Sequence, residues 1–293
     1  MHARHAAGKG GDAVNETLPR IGFGGMPLSI QGRPPEDVGR RVLHAAIDAG
    51  LTFVDTADVY CLDDDDIGHN ERLIASVLRE RDDRDRILVA TKGGLRRPKG
   101  AWTNDGSPKH IREACERSLR ALGVDQIWLY QFHAPDPQVP FEKSVETFAE
   151  LQRAGKCKYV GLSNVSVEQI DAASRIVKVE SVQNRLNPYF RESLGVAAEC
   201  GRRGIAFLAY SPVGGGRLAK KLPQFELLQR IAGAHDCYVH AAVLAWVRAK
   251  GPTVIPIPGA RTVEHATDSA KSIGVELSKD EIAMIDETEF SRA

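Results

Sequence analysis

The stretch Gly22-Phe23-Gly24-Gly25-Met26-Pro27 ends the first predicted strand and decides between two folds. A doubly wound dinucleotide-binding domain carries Gly-x-Gly-x-x-Gly at this point, because its glycines allow a tight turn close to a pyrophosphate. Here Pro27 replaces the third glycine. We therefore predict a closed (β/α)8 TIM barrel instead of an open sheet.

The rest of the chain supports eight units of one strand and one helix. Short runs rich in β-branched and aromatic residues alternate with amphipathic segments at helical spacing. This alternation predicts parallel strands joined by right-handed crossovers. The predicted strands are 21–25, 51–55, 87–92, 127–133, 158–163, 181–184, 205–210 and 253–256.

Local signals agree with this division. Ser107 followed by Pro108 is typical of a helix start, since serine caps free N–H groups and proline suits the first turn. Ser166 and Gln169 have the spacing of a capping box, in which each side chain bonds the backbone N–H of the other. The main irregular loops are expected at 61–69 and 93–106, both directly after strands.

The length agrees with one domain. The chain has 293 residues, and a single (β/α)8 barrel typically needs about 250. We predict that residues 18–293 form the barrel. Residues 1–17, which are polar and rich in glycine, are expected to form a flexible tail.

Composition excludes several classes of function. The 39 Lys and Arg residues balance 39 Asp and Glu, which is unlike the clustered basic charge of a nucleic-acid-binding protein. Apolar runs are shorter than the ~18–20 residues that a membrane span needs. The five cysteines are scattered without a Cys-x-x-Cys pair, which favours reduced thiols in a cytoplasmic protein. We expect no nucleic-acid or membrane partner.

Four polar side chains lie at the ends of three neighbouring predicted strands. Asp55 ends the second strand and Tyr60 follows it, Lys92 ends the third, and His133 ends the fourth. Each residue alone has an ordinary structural interpretation, such as a helix cap or a solvated charge. Together they lie at the end of the barrel where such enzymes carry their active sites.

These residues resemble the catalytic tetrad of the aldo-keto reductases. The resemblance rests on Asp55-x4-Tyr60, Thr91-Lys92 and the strand ending in His133. It extends over nearly the whole chain through Gly161-Leu162-Ser163-Asn164, Gln183-Asn184, Tyr210-Ser211-Pro212 and Ile257-Pro258-Gly259-Ala260-Arg261. It implies reversible NADPH-dependent reduction of an aldehyde or ketone to an alcohol, with a small carbonyl or alcohol as substrate.

The chemistry of the four residues fits that activity. Carbonyl reduction needs an acid for the developing alkoxide, and Tyr60 would donate that proton. A free phenol has a pKa of about 10, so we expect the ammonium of Lys92 to lower the pKa of Tyr60. Asp55 would keep Lys92 charged, and a neutral His133 would orient the substrate oxygen.

The resemblance also implies NADPH or NADP+ as the cofactor. Ser163, Asn164 and Gln183 match positions that bind the nicotinamide carboxamide, and Tyr210 matches an aromatic residue that stacks on the ring. Arg261 matches a contact to the adenosine 2′-phosphate, to which a guanidinium is suited. The remaining cofactor residues that the resemblance implies are Ser211, Val213, Gly215, Arg217 and Gly259.

Four further points concern alternative sites and functions. The adenine-binding Glu-Asn pair of the family corresponds here to Asp268-Ser269. The acidic run Asp63–Asp66 is interpreted as a solvated turn, because no histidine is spaced to complete a metal site. A metal-dependent barrel hydrolase would need more His and Asp at the strand ends. A cofactor-binding regulatory protein with little turnover is the main alternative function.

Overall fold

The computed structural model describes residues 14–292. Its ten strands fall into one large sheet and one short hairpin. The strands are β1 (Phe23–Gly24), β2 (Phe53–Asp55), β3 (Leu88–Gly93), β4 (Leu95–Arg96), β5 (Thr103–Asn104), β6 (Ile127–Phe132), β7 (Cys157–Ser163), β8 (Val179–Arg185), β9 (Ala206–Tyr210) and β10 (Val254–Pro256).

Twelve α-helices accompany these strands in the described residues. They are α1 (Val14–Thr17), α2 (Glu36–Asp48), α3 (His69–Arg79), α4 (Pro108–Leu122), α5 (Phe141–Arg153), α6 (Val167–Ser174), α7 (Leu194–Arg203), α8 (Gly216–Lys221), α9 (Glu226–Ala234), α10 (Val239–Arg248), α11 (Val263–Lys271) and α12 (Lys279–Glu287). Among them, none is long and apolar enough to cross a membrane.

Eight parallel strands form a closed barrel. The order along the sheet is β1-β2-β3-β6-β7-β8-β9-β10. Its two ends are joined because Gly22 N donates to Pro256 O at 3.0 Å and Gly24 N donates to Pro258 O at 2.9 Å. The predicted barrel is confirmed, and each of the eight strands overlaps its predicted segment. The strand and helix segments alternate along the sequence because two parallel strands can pair only when a long crossover, usually a helix, connects them.

The strands place polar residues inside the barrel by simple alternation. On β6, Tyr130 and Phe132 point outward and pack against Phe148 of α5, with ring centroids 4.9 and 5.5 Å away. Successive side chains of a strand point to opposite faces. Gln131 therefore points inward, where its amide reaches Asp55.

The N-terminal boundary differs from the prediction. Residues 14–17, which were assigned to the flexible tail, form helix α1, and Val14 is fully buried. Val14 and Leu18 pack in one cluster with Phe53, Leu129 and other inward-facing side chains. This apolar contact closes the end of the barrel at which the strands begin. Residues 1–13 of the predicted tail lie outside the described residues.

The predicted helix caps are confirmed. Ser107 Oγ accepts from His110 N at the start of α4, and Gly123 ends that helix in the left-handed region with φ 69°. Ser166 and Gln169 form the predicted capping box of α6. The loop 93–106 contains the antiparallel hairpin of β4 and β5, which the sequence analysis missed.

Candidate active site

Asp55, Tyr60, Lys92 and His133 meet at the end of the barrel where the strands finish. Asp55 is the last residue of β2, Lys92 lies near the end of β3, and His133 directly follows β6. Because β2, β3 and β6 are neighbours in the sheet, their ends lie side by side. The structure thus brings together all four residues that the sequence analysis selected.

Lys92 is the centre of the group. Its ammonium donates to Asp55 Oδ2 at 2.6 Å, to Thr56 O at 2.9 Å and to Tyr60 Oη at 2.9 Å. Three acceptors require three N–H donors, so this geometry is that of a charged lysine. Burial lowers the pKa of Lys92, while the neighbouring Asp55 carboxylate acts in the opposite direction.

Two buried amides hold the other oxygen of Asp55. Gln183 Nε2 donates to Asp55 Oδ1 at 2.8 Å, and Gln131 Nε2 donates to it at 3.2 Å. The carboxylate is thereby fixed toward Lys92 without a second cation. Gln183, which was expected to bind the nicotinamide carboxamide, uses its amide nitrogen here on Asp55 and Gln131.

The net shift of the Tyr60 pKa is opposite to the one expected from Lys92 alone. The pKa of the Tyr60 phenol is raised well above its ordinary value, first because burial disfavours the phenolate, and then because the negatively charged Asp55 carboxylate lies nearby. Tyr60 is therefore protonated at neutral pH. Since its oxygen accepts from Lys92, its own proton is available to another acceptor.

His133 is a neutral imidazole in this setting. Burial and the ammonium of Lys92 hold its pKa well below the usual value. Its Nδ1 atom is buried and has no hydrogen-bond partner among residues 14–292. A neutral ring can present one N–H to a substrate oxygen, as the sequence analysis expected.

Trp102 covers two of these residues. Its ring lies 6.3 Å from the Tyr60 ring and 6.5 Å from the His133 ring, centroid to centroid, in edge-to-face contact. Trp102 belongs to the loop between β4 and β5, and it is 46% exposed. An apolar wall thus stands directly beside the proposed proton donor.

Asp58 and Glu71 are further buried acids close to β3. Thr91 Oγ1 donates to Glu71 Oε1 at 2.6 Å, and Arg117 Nη2 lies 3.6 Å from Asp58 Oδ2. Burial and the neighbouring Glu71 raise the pKa of Asp58 to about 8. Burial raises the pKa of Glu71 as well. Asp55 is the acid that contacts Lys92 directly.

The residues expected to contact nicotinamide also lie at this end. Tyr210 Oη donates to Asn164 Oδ1 at 2.9 Å, and Asn164 Nδ2 donates to His133 O at 3.0 Å and Ser163 Oγ at 3.2 Å. Asn164 adopts a left-handed φ of 58°. Ser163, Asn164 and Tyr210 thus form one connected polar group next to His133.

The segment expected along the pyrophosphate follows β9. Ser211 has φ 48°, and Gly215 precedes α8 with φ 67°, a conformation that favours glycine. Val213 lies partly buried against the core. Arg217 Nη2 donates to Arg292 O at 2.8 Å, which ties this segment to the end of the described chain.

Gly259 and Arg261 lie where the last strand meets the first. A Cβ atom on Gly259 would come within 2.7 Å of Gly24 O, so only glycine permits this close approach. Arg261 Nε donates to Pro27 O at 3.2 Å, and its Nη2 donates to Gln31 O at 3.0 Å. No carboxylate pairs with Arg261 between residues 14 and 292, which leaves its charge open to an anion.

Two other sequence features are placed elsewhere. Ser269 Oγ donates to the carbonyl of its own helix at His265, and Asp268 lies 4.0 Å from Lys271. In the acidic run, Asp66 pairs with Arg33 at 2.5 Å. Within the described part of the chain, no three His, Cys, Asp or Glu side chains gather in a way that could hold a metal.

Comparison with protein families agrees with this geometry. The sequence model described as "Aldo/keto reductase family" matches residues 20–289. The chain belongs to the aldo/keto reductase family. The matched region includes the four central residues and the segment ending in Arg261.

Curated relatives of this reductase are similar over most of its length. "Uncharacterized oxidoreductase C215.11c" of Schizosaccharomyces pombe is 33% identical over 284 residues, covering 95% of this chain and 88% of the relative. Aldo-keto reductase yakc of the same organism, whose name records NADP(+), is 30% identical, covering 90% of this chain and 86% of the relative.

Solved aldo-keto reductases share the fold. The glycerol dehydrogenase AKR11B4 from Gluconobacter oxydans has a TM-score of 0.81 and 27% identity, covering 92% of this chain and 91% of its own. An aldo/keto reductase from Klebsiella pneumoniae, in complex with NADP and acetate, has a TM-score of 0.76 and 27% identity, covering 92% and 90%.

Some contributors to this reductase's site carried no clear sequence signal. Gln131 was visible at a strand end, but its contact with Asp55 depends on the register of two strands. Arg97 is completely buried against the ring of Trp102, although nothing in the local sequence indicates a buried arginine.

Proposed function

We propose that this chain is an NADPH-dependent carbonyl reductase that also oxidises the corresponding alcohols. The observation that carries the proposal is the buried Lys92 ammonium, which bonds Asp55 and Tyr60 at 2.6 and 2.9 Å beside a neutral His133. This arrangement keeps a protonated phenol fixed in place. A protonated, oriented acid is what a developing alkoxide requires.

The described residues suit the cofactor. Ser163, Asn164 and Gln183 offer hydroxyl and amide groups of the kind that pair with a carboxamide, and Tyr210 offers a ring beside them. The guanidinium of Arg261 has five N–H donors, of which the two bonds to Pro27 and Gln31 use only part. When bound, NADPH supplies the hydride that reduces the carbonyl carbon.

Three residues of this chain would then orient the carbonyl and transfer the proton. His133 donates an N–H to the carbonyl oxygen and fixes its angle, because its imidazole is neutral. Tyr60 donates its proton to the same oxygen as negative charge develops there. Lys92 stays hydrogen-bonded to the Tyr60 oxygen, so it stabilises the phenolate that remains.

One experiment separates this function from a regulatory protein with little turnover. NADPH-loaded protein is mixed rapidly with 4-nitrobenzaldehyde, and the loss of NADPH absorbance is followed in a single turnover. A transient that scales with bound NADPH supports the reductase. Binding of NADPH without any transient, across a panel of aldehydes and ketones, supports the regulatory alternative.

Arg261→Ala should weaken NADPH binding by roughly ten- to hundredfold, since a charge-assisted contact to phosphate is worth about 1.5–3 kcal/mol. NADH binding should change by no more than about twofold, because NADH lacks the 2′-phosphate. Titration calorimetry with both cofactors measures the difference, and Arg261→Lys is the control that keeps the charge. Equal losses for both cofactors would contradict the proposed role.

The two directions should differ in their dependence on pH. Tyr60 stays protonated because its pKa is raised, and His133 stays neutral because its pKa is lowered. Hydride transfer in reduction should therefore be flat between about pH 7 and 9. Alcohol oxidation needs the phenolate and should rise about tenfold per pH unit in that range. Stopped-flow rates in both directions test this, and a flat oxidation profile would exclude Tyr60 as the base.

A further inference from the structure

Gln31 joins two parts of the proposed site. Its backbone oxygen accepts from Arg261 Nη2 at 3.0 Å. Its side-chain oxygen accepts from Arg97 Nη2 at 2.9 Å, and its side-chain nitrogen donates to Leu62 O at 3.0 Å. A single exposed residue therefore contacts the proposed phosphate-binding Arg261 through its backbone. Through its side-chain amide it contacts Arg97, which follows β4, and Leu62, in the loop after β2.

Arg97 continues this connection to the substrate side. It is fully buried, and it pairs with no carboxylate in the described part of the chain. Its guanidinium lies 3.9 Å from the centroid of the Trp102 ring, while Nη2 also donates to the carbonyls of Cys61 and Leu62 at 3.1 and 3.2 Å. A buried cation that lacks an anion is stabilised here by carbonyl dipoles and a ring face.

Trp102 in turn stands over the reacting groups. Its ring contacts both Tyr60 and His133, which are only 6% and 8% exposed. A substrate carbonyl that contacts these two residues would lie beside the indole. The position of Trp102 would therefore affect substrate affinity.

We propose that Gln31 and Arg97 are positioning residues that couple the anion on Arg261 to the placement of Trp102. The proposal rests on the proposed function, because it takes Arg261 as the ligand of the cofactor phosphate. An anion on Arg261 orders the guanidinium while its bonds to Pro27 and Gln31 persist. Gln31, Arg97 and Trp102 are then already ordered when the substrate binds. Substrate binding therefore costs less conformational entropy of the protein, and the substrate binds more tightly.

The coupling predicts a difference between the two nicotinamide cofactors. A carbonyl substrate should bind the NADPH-loaded protein more tightly than the NADH-loaded protein, by about fivefold or more, which is the usual lower range of such couplings. The effect should appear in KM and leave the rate of hydride transfer nearly unchanged. Gln31→Met keeps the length of the side chain but removes both side-chain hydrogen bonds, so it should abolish the difference.

A binding experiment tests the connection without any turnover. Adenosine 2′,5′-bisphosphate is the probe for Arg261, and adenosine 5′-monophosphate is its control without the 2′-phosphate. Acrylamide quenching follows Trp102, whose signal is the difference between the parent and Trp102→Phe, since the chain has 3 tryptophans. The bisphosphate should lower the quenching constant of Trp102 about twofold, and the monophosphate should leave it unchanged.

Variants show whether Gln31 carries the effect. In Gln31→Met the bisphosphate should still bind, by calorimetry, but the response of Trp102 should be lost. Gln126→Met is the matched control, because Gln126 is also exposed and donates to a backbone carbonyl, that of Gly155, at 2.9 Å. Gln126→Met should retain the full response, and thermal unfolding should show both variants to be folded. Arg97→Lys should lose the response as well, since an ammonium cannot both stack as a plane and bond Gln31.

The outcomes distinguish this proposal from the cofactor assignment. If the bisphosphate binds the parent and Trp102 does not respond, the coupling is wrong and the proposed function stands. A response that persists in Gln31→Met also overturns the coupling. If the bisphosphate fails to bind the parent, Arg261 is not the phosphate ligand. The coupling and the preference for NADPH then both fail, while the single-turnover experiment still decides whether the chain is a carbonyl reductase.

Discussion

Replacing Tyr60 by Phe should lower the rate of hydride transfer by about 100-fold or more, because the variant lacks the hydroxyl that we propose as the acid for the alkoxide. The ring remains to pack against Trp102 and His133. NADPH affinity should be nearly unchanged, since the lost hydroxyl bonds Lys92. The loss of that bond should cost about 1 kcal/mol of stability.

The decisive measurement for Tyr60 is the single-turnover rate with NADPH already bound. Tyr130→Phe is the matched control, because Tyr130 is buried like Tyr60, but its hydroxyl donates within residues 14–292 only to Ile111 O, at 3.4 Å, outside the site. Tyr130→Phe should react at the parental rate. A Tyr60→Phe enzyme that reduces a good aldehyde within about threefold of the parent would show that Tyr60 is not the acid.

Lys92→Met should have the second large effect, and this effect should appear in both rate and stability. The variant removes the cation that would stabilise the Tyr60 phenolate, so hydride transfer should fall by about 100-fold. It also leaves the Asp55 carboxylate buried with only amide donors from Gln131 and Gln183. Breaking a buried ion pair in this way should lower the free energy of unfolding by roughly 3–5 kcal/mol.

A second substitution separates the two consequences of losing Lys92. Asp55→Asn combined with Lys92→Met removes the unpaired charge and should recover much of the stability lost in Lys92→Met, as measured by urea unfolding. Its hydride-transfer rate should stay as low as that of the single variant. Recovery of activity along with stability would mean that Lys92 acts only by holding the fold together.

The fold could be predicted largely from sequence because the barrel depends on local signals. Each barrel strand is a short apolar run, and several helices begin at a side-chain cap, as Ser107 and Ser166 illustrate. The hairpin of β4 and β5 could not be predicted because each of its strands has only two residues, too few to show the alternation of apolar and polar residues. Helix α1 could not be predicted because Val14, its one buried apolar side chain, follows a polar stretch, and a single apolar residue shows no helical spacing.

The site was predictable as a set of residues but not as an electrostatic environment. Parallel strands bring their ends together, which is why Asp55, Lys92 and His133 could be grouped from sequence. The pKa of Tyr60 depends on how completely water is excluded, which only the packed structure reveals. The contacts of Gln31 and Arg97 likewise join segments far apart in the chain, where no local pattern records them.

The junction between β1 and β10 also sets the order in which this protein can be completed. Arg261 and Pro27, which meet across it, are separated by 234 positions along the chain. During synthesis the first strand keeps an unpaired edge until the last one leaves the ribosome, and such edges are prone to wrong pairing. A cofactor held by Arg261 would bind only the closed barrel, and this binding would stabilise the closed barrel against unfolding. The supply of phosphorylated nicotinamide cofactor would then influence how much of the enzyme survives, in addition to how fast it works.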